Sequence, residues 1–211
     1  MQRLLLIVLP LLFLSIGVSQ NRVNVNNLIK YGDKYFKEND DRPFNGIVFD
    51  LSKETGNKIL QYKMIEGLKN GLYQDWYPDG KPKSKGKYFN NTRVGNWTLW
   101  YENVEKKEEG TYKDGKRDGL HTFWYENGEK REDTYKDGKM DGLQTKWYEN
   151  GQKSYEGTYK DGKKDGLRTW WYENGQKSLE GSYKDGEELS RKRWNVDGSV
   201  RKEPFDWEWF K

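Results

Sequence analysis

From Gly71 onward the chain alternates between apolar or aromatic and polar side chains in short runs. In one run Leu143, Thr145 and Trp147 share one side, and Gln144, Lys146 and Tyr148 share the other. The next run repeats this with Leu167, Thr169 and Trp171 against Arg168, Trp170 and Tyr172. A period of two puts successive side chains on opposite faces of a strand and excludes a helix, whose apolar positions recur every 3.6 residues. Thr, Trp and Tyr fill these runs, and such residues fit a pleated surface.

The runs are punctuated by turn pairs. Asn150-Gly151 and Asp161-Gly162 fall in one unit, Asn174-Gly175 and Asp185-Gly186 in the next, and Gly128 marks the same place one unit earlier. Asn-Gly and Asp-Gly supply the positive φ angles that a type I′ hairpin turn requires at both central positions. The glycines at 71, 95, 119, 142 and 166 each open a unit, at intervals of 24, 24, 23 and 24 residues. The short unit has lost one residue between Gly128 and Thr134. Two turns per unit mean two strands per unit. A fixed period of this length predicts an all-β protein: an elongated single-layer antiparallel meander of tandem β-hairpin repeats with capping ends. Each strand would add about 4.8 Å to the array, and cross-strand aromatic pairs about 0.2–1 kcal/mol apiece.

The ends depart from the period, as terminal repeats must. Residues 1–19 read as a signal peptide: Arg3, then an apolar run from Leu4 to Val18, then small residues that suit a cut after Ser19. An uncleaved membrane anchor is the alternative, and either expectation places the rest outside the cytoplasm: periplasmic, cell-surface or extracellular. Residues 20–43 form an N-terminal cap segment, 44–189 the repeats, and 190–211 a C-terminal hairpin followed by an aromatic cap of Phe205, Trp207, Trp209 and Phe210.

Composition sharpens this picture. There is no cysteine despite the export signal, hydrophobic residues make up 33% and aromatic residues 16%, so aromatic packing has to replace an aliphatic core. The net charge is +4, with 38 basic and 34 acidic side chains interleaved, as in Lys160, Asp161, Lys163, Lys164 and Asp165. Such mixing argues against a nucleic-acid partner and against a focused basic patch. The one histidine, His121, stands in a variable strand position held elsewhere by Gln144 or Arg168, and is expected on the solvated surface. Without a thiol or a second histidine, triad, thiol and zinc chemistry lack their parts, and the acids that recur at turns are explained by turn chemistry. The reading is of a protein that is not an enzyme, with no cofactor and no metal.

The run Tyr155-Glu156-Gly157-Thr158-Tyr159-Lys160-Asp161-Gly162-Lys163-Lys164-Asp165-Gly166 resembles the MORN repeat core, Tyr-x-Gly-x-(Trp/Tyr)-x-x-Gly-x-x-x-Gly. The resemblance extends over residues 44–200. It is similar above all to the bacterial variant in proteins labelled YwqK-type toxin–antitoxin antitoxins. Three sites depart from the pattern: Gly95-Asn96-Trp97 replaces Gly-Leu, Val104 stands where a turn glycine is expected, and Asp133 replaces the small glycine. The resemblance implies binding rather than catalysis, with membranes, phospholipids or a neutralised toxin as associated partners.

One feature of the repeat has ligand-binding potential. Trp76, Trp100, Trp124, Trp147 and Trp171 recur at equivalent places, each followed by Tyr. They are either the fold's own ladder or an open row of stacking platforms. The leading expectation is an exported structural or protein-interaction module at the cell envelope. Carbohydrate, cell-wall glycan or lipid-headgroup binding through an aromatic face is the alternative, and antitoxin-like or immunity-like partner binding is a further one.

Overall fold

The computed structural model describes residues 21–202. The signal segment expected at 1–19 and the aromatic cap expected at Phe205 to Phe210 lie outside them. The described chain is almost entirely strand. Three short strands come first, β1 (Arg22–Asn24), β2 (Leu28–Tyr31) and β3 (Lys34–Lys37), with one 3-10 turn at Val25–Asn27. The array follows as β4 (Gly46–Leu51), β5 (Lys58–Ile65), β6 (Leu68–Trp76), β7 (Pro82–Phe89), β8 (Thr92–Trp100) and β9 (Lys106–Lys113). It continues through β10 (Lys116–Trp124), β11 (Lys130–Lys136), β12 (Lys139–Trp147), β13 (Lys153–Lys160), β14 (Lys163–Trp171), β15 (Lys177–Lys184) and β16 (Glu187–Arg193).

Strands β4 to β16 pair in sequence order, each antiparallel to the next, and β1 adds to β4 in parallel to complete a 14-stranded sheet. Every connection in the array is a hairpin, so the sheet grows as the alternating pattern and the turn pairs predict. The β2–β3 hairpin stands apart and folds against the first array strands. There Val23, Phe44, Val48, Tyr62 and Met64 are buried together, with Leu28, Tyr35 and Tyr73 against them. This end is the one place among the described residues where a second layer covers the sheet.

Burial in this cluster pushes the Tyr62 phenol up to about 12 and raises Tyr73 as well. An unfolded tyrosine ionises near pH ~10. The folded state therefore holds the proton that the unfolded chain has already lost, and the stability tied to it is complete below pH ~10 and disappears as pH climbs through about 12. Melting temperature is expected to drop steeply over that window, and Tyr62→Phe to flatten the slope. Phenolate absorbance rising in a single step near pH ~10, with no late phase, would show the burial account to be wrong.

The two turns of a unit differ. At Asp161-Gly162 both central residues have positive φ, 50° and 84°, as a type I′ turn requires, and Asp114, Asp137 and Asp185 repeat this. The Asn-Gly sites do not: φ is positive at Gly151, Gly175 and Gly128 alone, and the Tyr148 N–H donates to the Gln152 carbonyl while Gly151 N–H donates back to Tyr148. These are three-residue loops, a type I turn closed by a left-handed glycine, which corrects the type I′ expectation there. The Asn150 side chain explains the choice, because its Oδ1 accepts from the Gln152 N–H and its Nδ2 donates to the Glu173 carbonyl of the next loop. Val104 takes the left-handed place in its own loop at φ 71°, a strained position for a β-branched residue.

The glycines that recur at the 24-residue period are mid-strand. Gly71, Gly95, Gly119, Gly142 and Gly166 all have positive φ and sit at bulges where the register with the preceding strand shifts. Each unit is locked to the next at these points. The N–H of Asn91, Gly115, Gly138, Gly162 and Gly186 donates to the carbonyl of Lys69, Arg93, Arg117, Met140 and Lys164 respectively.

Candidate functional site

Strand alternation gives the sheet two unlike faces. One carries the Leu, Thr and Trp positions, and the other carries the variable position with its glycine neighbours. On the first, Leu120, Leu143 and Leu167 are exposed, and Glu109, Glu132 and Glu156 pair with Lys106, Lys130 and Lys153 at 2.5, 3.1 and 2.5 Å. Exposed pairs of this kind add little stability, so this face is chiefly a solvated, charge-balanced surface.

The five predicted platform residues lie at one edge of that face. Trp76, Trp100, Trp124, Trp147 and Trp171 are all half-buried. Lysines lie over three of them: Lys58 is 5.4 Å from the Trp76 ring, Lys106 is 5.7 Å from Trp124 and Lys130 is 3.9 Å from Trp147. Their backbones close the array. The hydroxyls of Tyr77, Tyr101, Tyr148 and Tyr172 donate to the carbonyls of Trp100, Trp124, Trp171 and Trp194 one unit on, at 2.8, 2.8, 2.6 and 2.8 Å. Four of the five Trp-Tyr pairs thus contribute a tyrosine clasp to the next unit; no such bond links Tyr125 to Trp147. A shallow cleft of about 410 Å³ opens beside one of them, lined by Tyr101, Lys106, Trp124 and Tyr125.

The first face also buries Thr145 and Thr169, but the other face holds the large buried side chains. Tyr73, Trp97, His121, Gln144 and Arg168 form its central row, two residues after each period glycine, and register sets them against Gly86, Gly110, Asp133, Gly157 and Gly181. A glycine on the preceding strand is required sterically under Trp97 and His121. A Cβ at Gly86 would overlap the Trp97 indole, and one at Gly110 would overlap the His121 imidazole. The rings lie flat over bare backbone, which buries them without a second layer. Aromatic contacts run unbroken from Tyr62 through Tyr73, Tyr88, Trp97 and Tyr112 to His121 and Tyr135, with centroids 5.1 to 6.3 Å apart.

His121 is a clear correction to the surface expectation: it is 0% exposed. Its Nε2 is 2.8 Å from the Thr111 carbonyl, which fixes that nitrogen as the donor, and Nδ1 lies 3.4 Å from Glu108. The Arg117 guanidinium meets the same carboxylate at 2.8 Å. Burial alone would raise the Glu108 carboxyl, but the His121 hydrogen bond and the Arg117 charge outweigh it and hold the group below its ordinary value.

Cations lie above this aromatic layer. Lys69, Arg93, Arg117 and Lys164 stand two residues before period glycines, in the row that alternates with Tyr88, Tyr112, Tyr135, Tyr159 and Tyr183. Lys69 Nζ is 5.0, 5.5 and 5.2 Å from the rings of Tyr62, Tyr73 and Tyr88, and the Arg93 guanidinium is 4.2 Å from Trp97. Burial and then the neighbouring Arg93 charge lower the Lys69 pKa. Arg168 is 4% exposed among Tyr155, Tyr159, Trp170 and Tyr183; its Nη2 donates to Tyr159, while Nε and Nη1 have no partner. Sequence order hides this arrangement, because a period of two brings onto one face cations that are far apart along the chain.

Among the described residues no group of three His, Cys, Asp or Glu side chains is placed to hold a metal ion. The profile of the MORN repeat variant family matches residues 69–91, 117–137, 140–161 and 164–185. Each matched segment begins at the cation, or at Met140, two residues before the period glycine and ends within the next Asp-Gly or Asn-Asn turn. The profile therefore follows the strand pair that carries the alternating row. A comparison with curated proteins finds no match.

Proposed function

We propose that this chain is an exported, non-enzymatic interaction module at the cell envelope that receives an acidic stretch of a partner protein on its glycine-shelved face. The match to the MORN repeat variant supports a repeat-based binding module. Export is supported by the Met1–Ser19 pattern in the sequence. The choice of ligand rests on one observation: Lys69, Arg93, Lys146, Lys164 and Arg168 all point to this face, and no carboxylate of the described residues forms an ion pair with any of them. Lys69 and Arg93 are half-buried and Arg168 is buried, which is costly without a counter-charge, and ring faces offset that only in part, by about 0.5–2 kcal/mol each; Lys146 and Lys164 are exposed beside them. An incoming carboxylate supplies what is missing.

The Trp row favours the glycan or lipid alternative less, since its rings are half-buried and several are covered by lysine. An immunity-like role is a special case of partner binding, in which the acidic stretch belongs to a toxic protein. The test is calorimetry of residues 20–211 against an octaglutamate peptide, an octalysine peptide, a neutral cell-wall glycan and anionic vesicles. Octaglutamate is expected to bind with a salt-sensitive Kd and the glycan not to bind; glycan or vesicle binding without peptide binding overturns the proposal.

A further inference from the structure

The cations of this face are not evenly distributed. In the alternating row, Lys69 and Arg93 are uncompensated on β6 and β8. Arg117 on β10 is neutralised by Glu108 at 2.8 Å. Met140 replaces the cation on β12, and Lys164 restores it on β14. Arg131 beside the gap is likewise neutralised, by Asp133 at 3.1 Å. Beyond the gap, Lys146 and Lys164 are exposed and Arg168 lies beneath them with two unpartnered nitrogens.

We infer that the face is a two-point receptor: it binds a protein segment carrying two acidic clusters separated by a neutral stretch, one cluster on Lys69 and Arg93, the other on Lys146, Lys164 and Arg168. This rests on the face being an acid receptor at all. The two cation clusters centre on β7 and β13, six strand steps apart, which at ~4.8 Å per strand is about 29 Å. An extended chain at ~3.3 Å per residue covers that distance in about nine residues. The gap is filled by three separate devices: a glutamate under Arg117, an aspartate under Arg131 in the place of a shelf glycine, and a methionine in the cation position. All three remove positive charge from the same stretch of one face, so an unbroken acidic run would meet no counter-charge at its middle.

The experiment uses residues 20–211 and two peptides of equal charge, each with two blocks of two glutamates, joined by either two or twelve Gly/Ser residues, so that the shorter spans only about 17 Å when extended and cannot reach both clusters. Once one block is bound, the longer spacer holds the second at millimolar effective concentration, so the twelve-residue peptide is expected to bind about 10- to 100-fold more tightly. Lys146→Ala with Lys164→Ala, both on exposed side chains, is expected to bring the long peptide down to the affinity of the short one. Glu108→Gln with Met140→Lys is expected to fill the gap and raise the affinity of the short peptide about 10-fold, a gain that a merely structural role for these residues would not produce. Equal binding of both peptides by the native chain overturns the two-point receptor while leaving the acid receptor standing. Binding of neither overturns both.

Discussion

Trp97→Ala is expected to cost about 4 kcal/mol, the middle of the range for truncating a fully buried aromatic residue. Trp97 is 1% exposed, its Nε1 donates to the Lys87 carbonyl at 3.2 Å, and its ring touches Tyr73, Tyr88 and Tyr112 with Arg93 above it. In a two-layer protein a cavity can shrink by collapse of the facing layer. Here the ring lies on the backbone of Gly86, no layer of the described residues faces it in the array, and its removal opens the aromatic line to water. The reciprocal change gives the same answer from below: Gly86→Val places a side chain where the indole lies and is expected to cost about 3 kcal/mol. Gly95→Ala is the comparator, because nothing lies within 4 Å of its Cβ position and only the positive φ of 64° is strained, at about 1 kcal/mol. Urea unfolding followed by circular dichroism measures all three. If Trp97→Ala lost no more than Gly95→Ala, the shelved ring would not be a stabilising element.

The strands, the hairpin order and the single layer were legible because the period of two and the Gly-containing turns each state them independently. The grouping of Leu143, Thr145 and Trp147 on one face was legible for the same reason. What could not be read was which face holds the core. Polarity misleads here: the exposed position is Leu, 54% for Leu120 and 57% for Leu167, and the buried one holds His121, Gln144 and Arg168. Burial in a single sheet is set by whether a side chain can lie across a neighbouring glycine, not by its own hydropathy. The signal was present in the spacing, since every variable residue stands two positions after a period glycine and, except for His121 against Asp133, opposite a glycine. It becomes readable only once register is known. The same holds for the cation row, which is dispersed in sequence and continuous in space. The Asn-Gly loops depart from expectation because a dipeptide fixes the left-handed glycine but not the count of loop residues, which the Asn150 side-chain bonds decide.

Asp133→Leu tests the one unit that breaks the shelf rule. In the short unit the glycine is replaced by an aspartate that is 1% exposed and register-paired with His121. Its carboxylate accepts from Gln144 Nε2 at 2.7 Å and the Tyr135 hydroxyl at 3.1 Å, and lies 3.1 Å from Arg131 Nε. A ring cannot lie over a position that has a side chain, so this unit exchanges aromatic cover for a closed polar network. Gln144 and Asp133 complete each other, and the lost residue shortens the strand to seven. Leucine has the right size but leaves the Gln144 amide and the Arg131 charge without an acceptor. Removing one partner of a buried pair costs about 3–5 kcal/mol, and the 29% exposure of Arg131 puts this case at the low end, about 3 kcal/mol. Asp133→Leu combined with Gln144→Leu and Arg131→Met removes the stranded amide and guanidinium, leaving only the half-buried Tyr135 hydroxyl, and is expected to recover most of the loss, since apolar replacement of a buried network is often neutral. A triple variant no more stable than Asp133→Leu alone would mean that the aspartate supports the unit by its backbone geometry rather than by its charge.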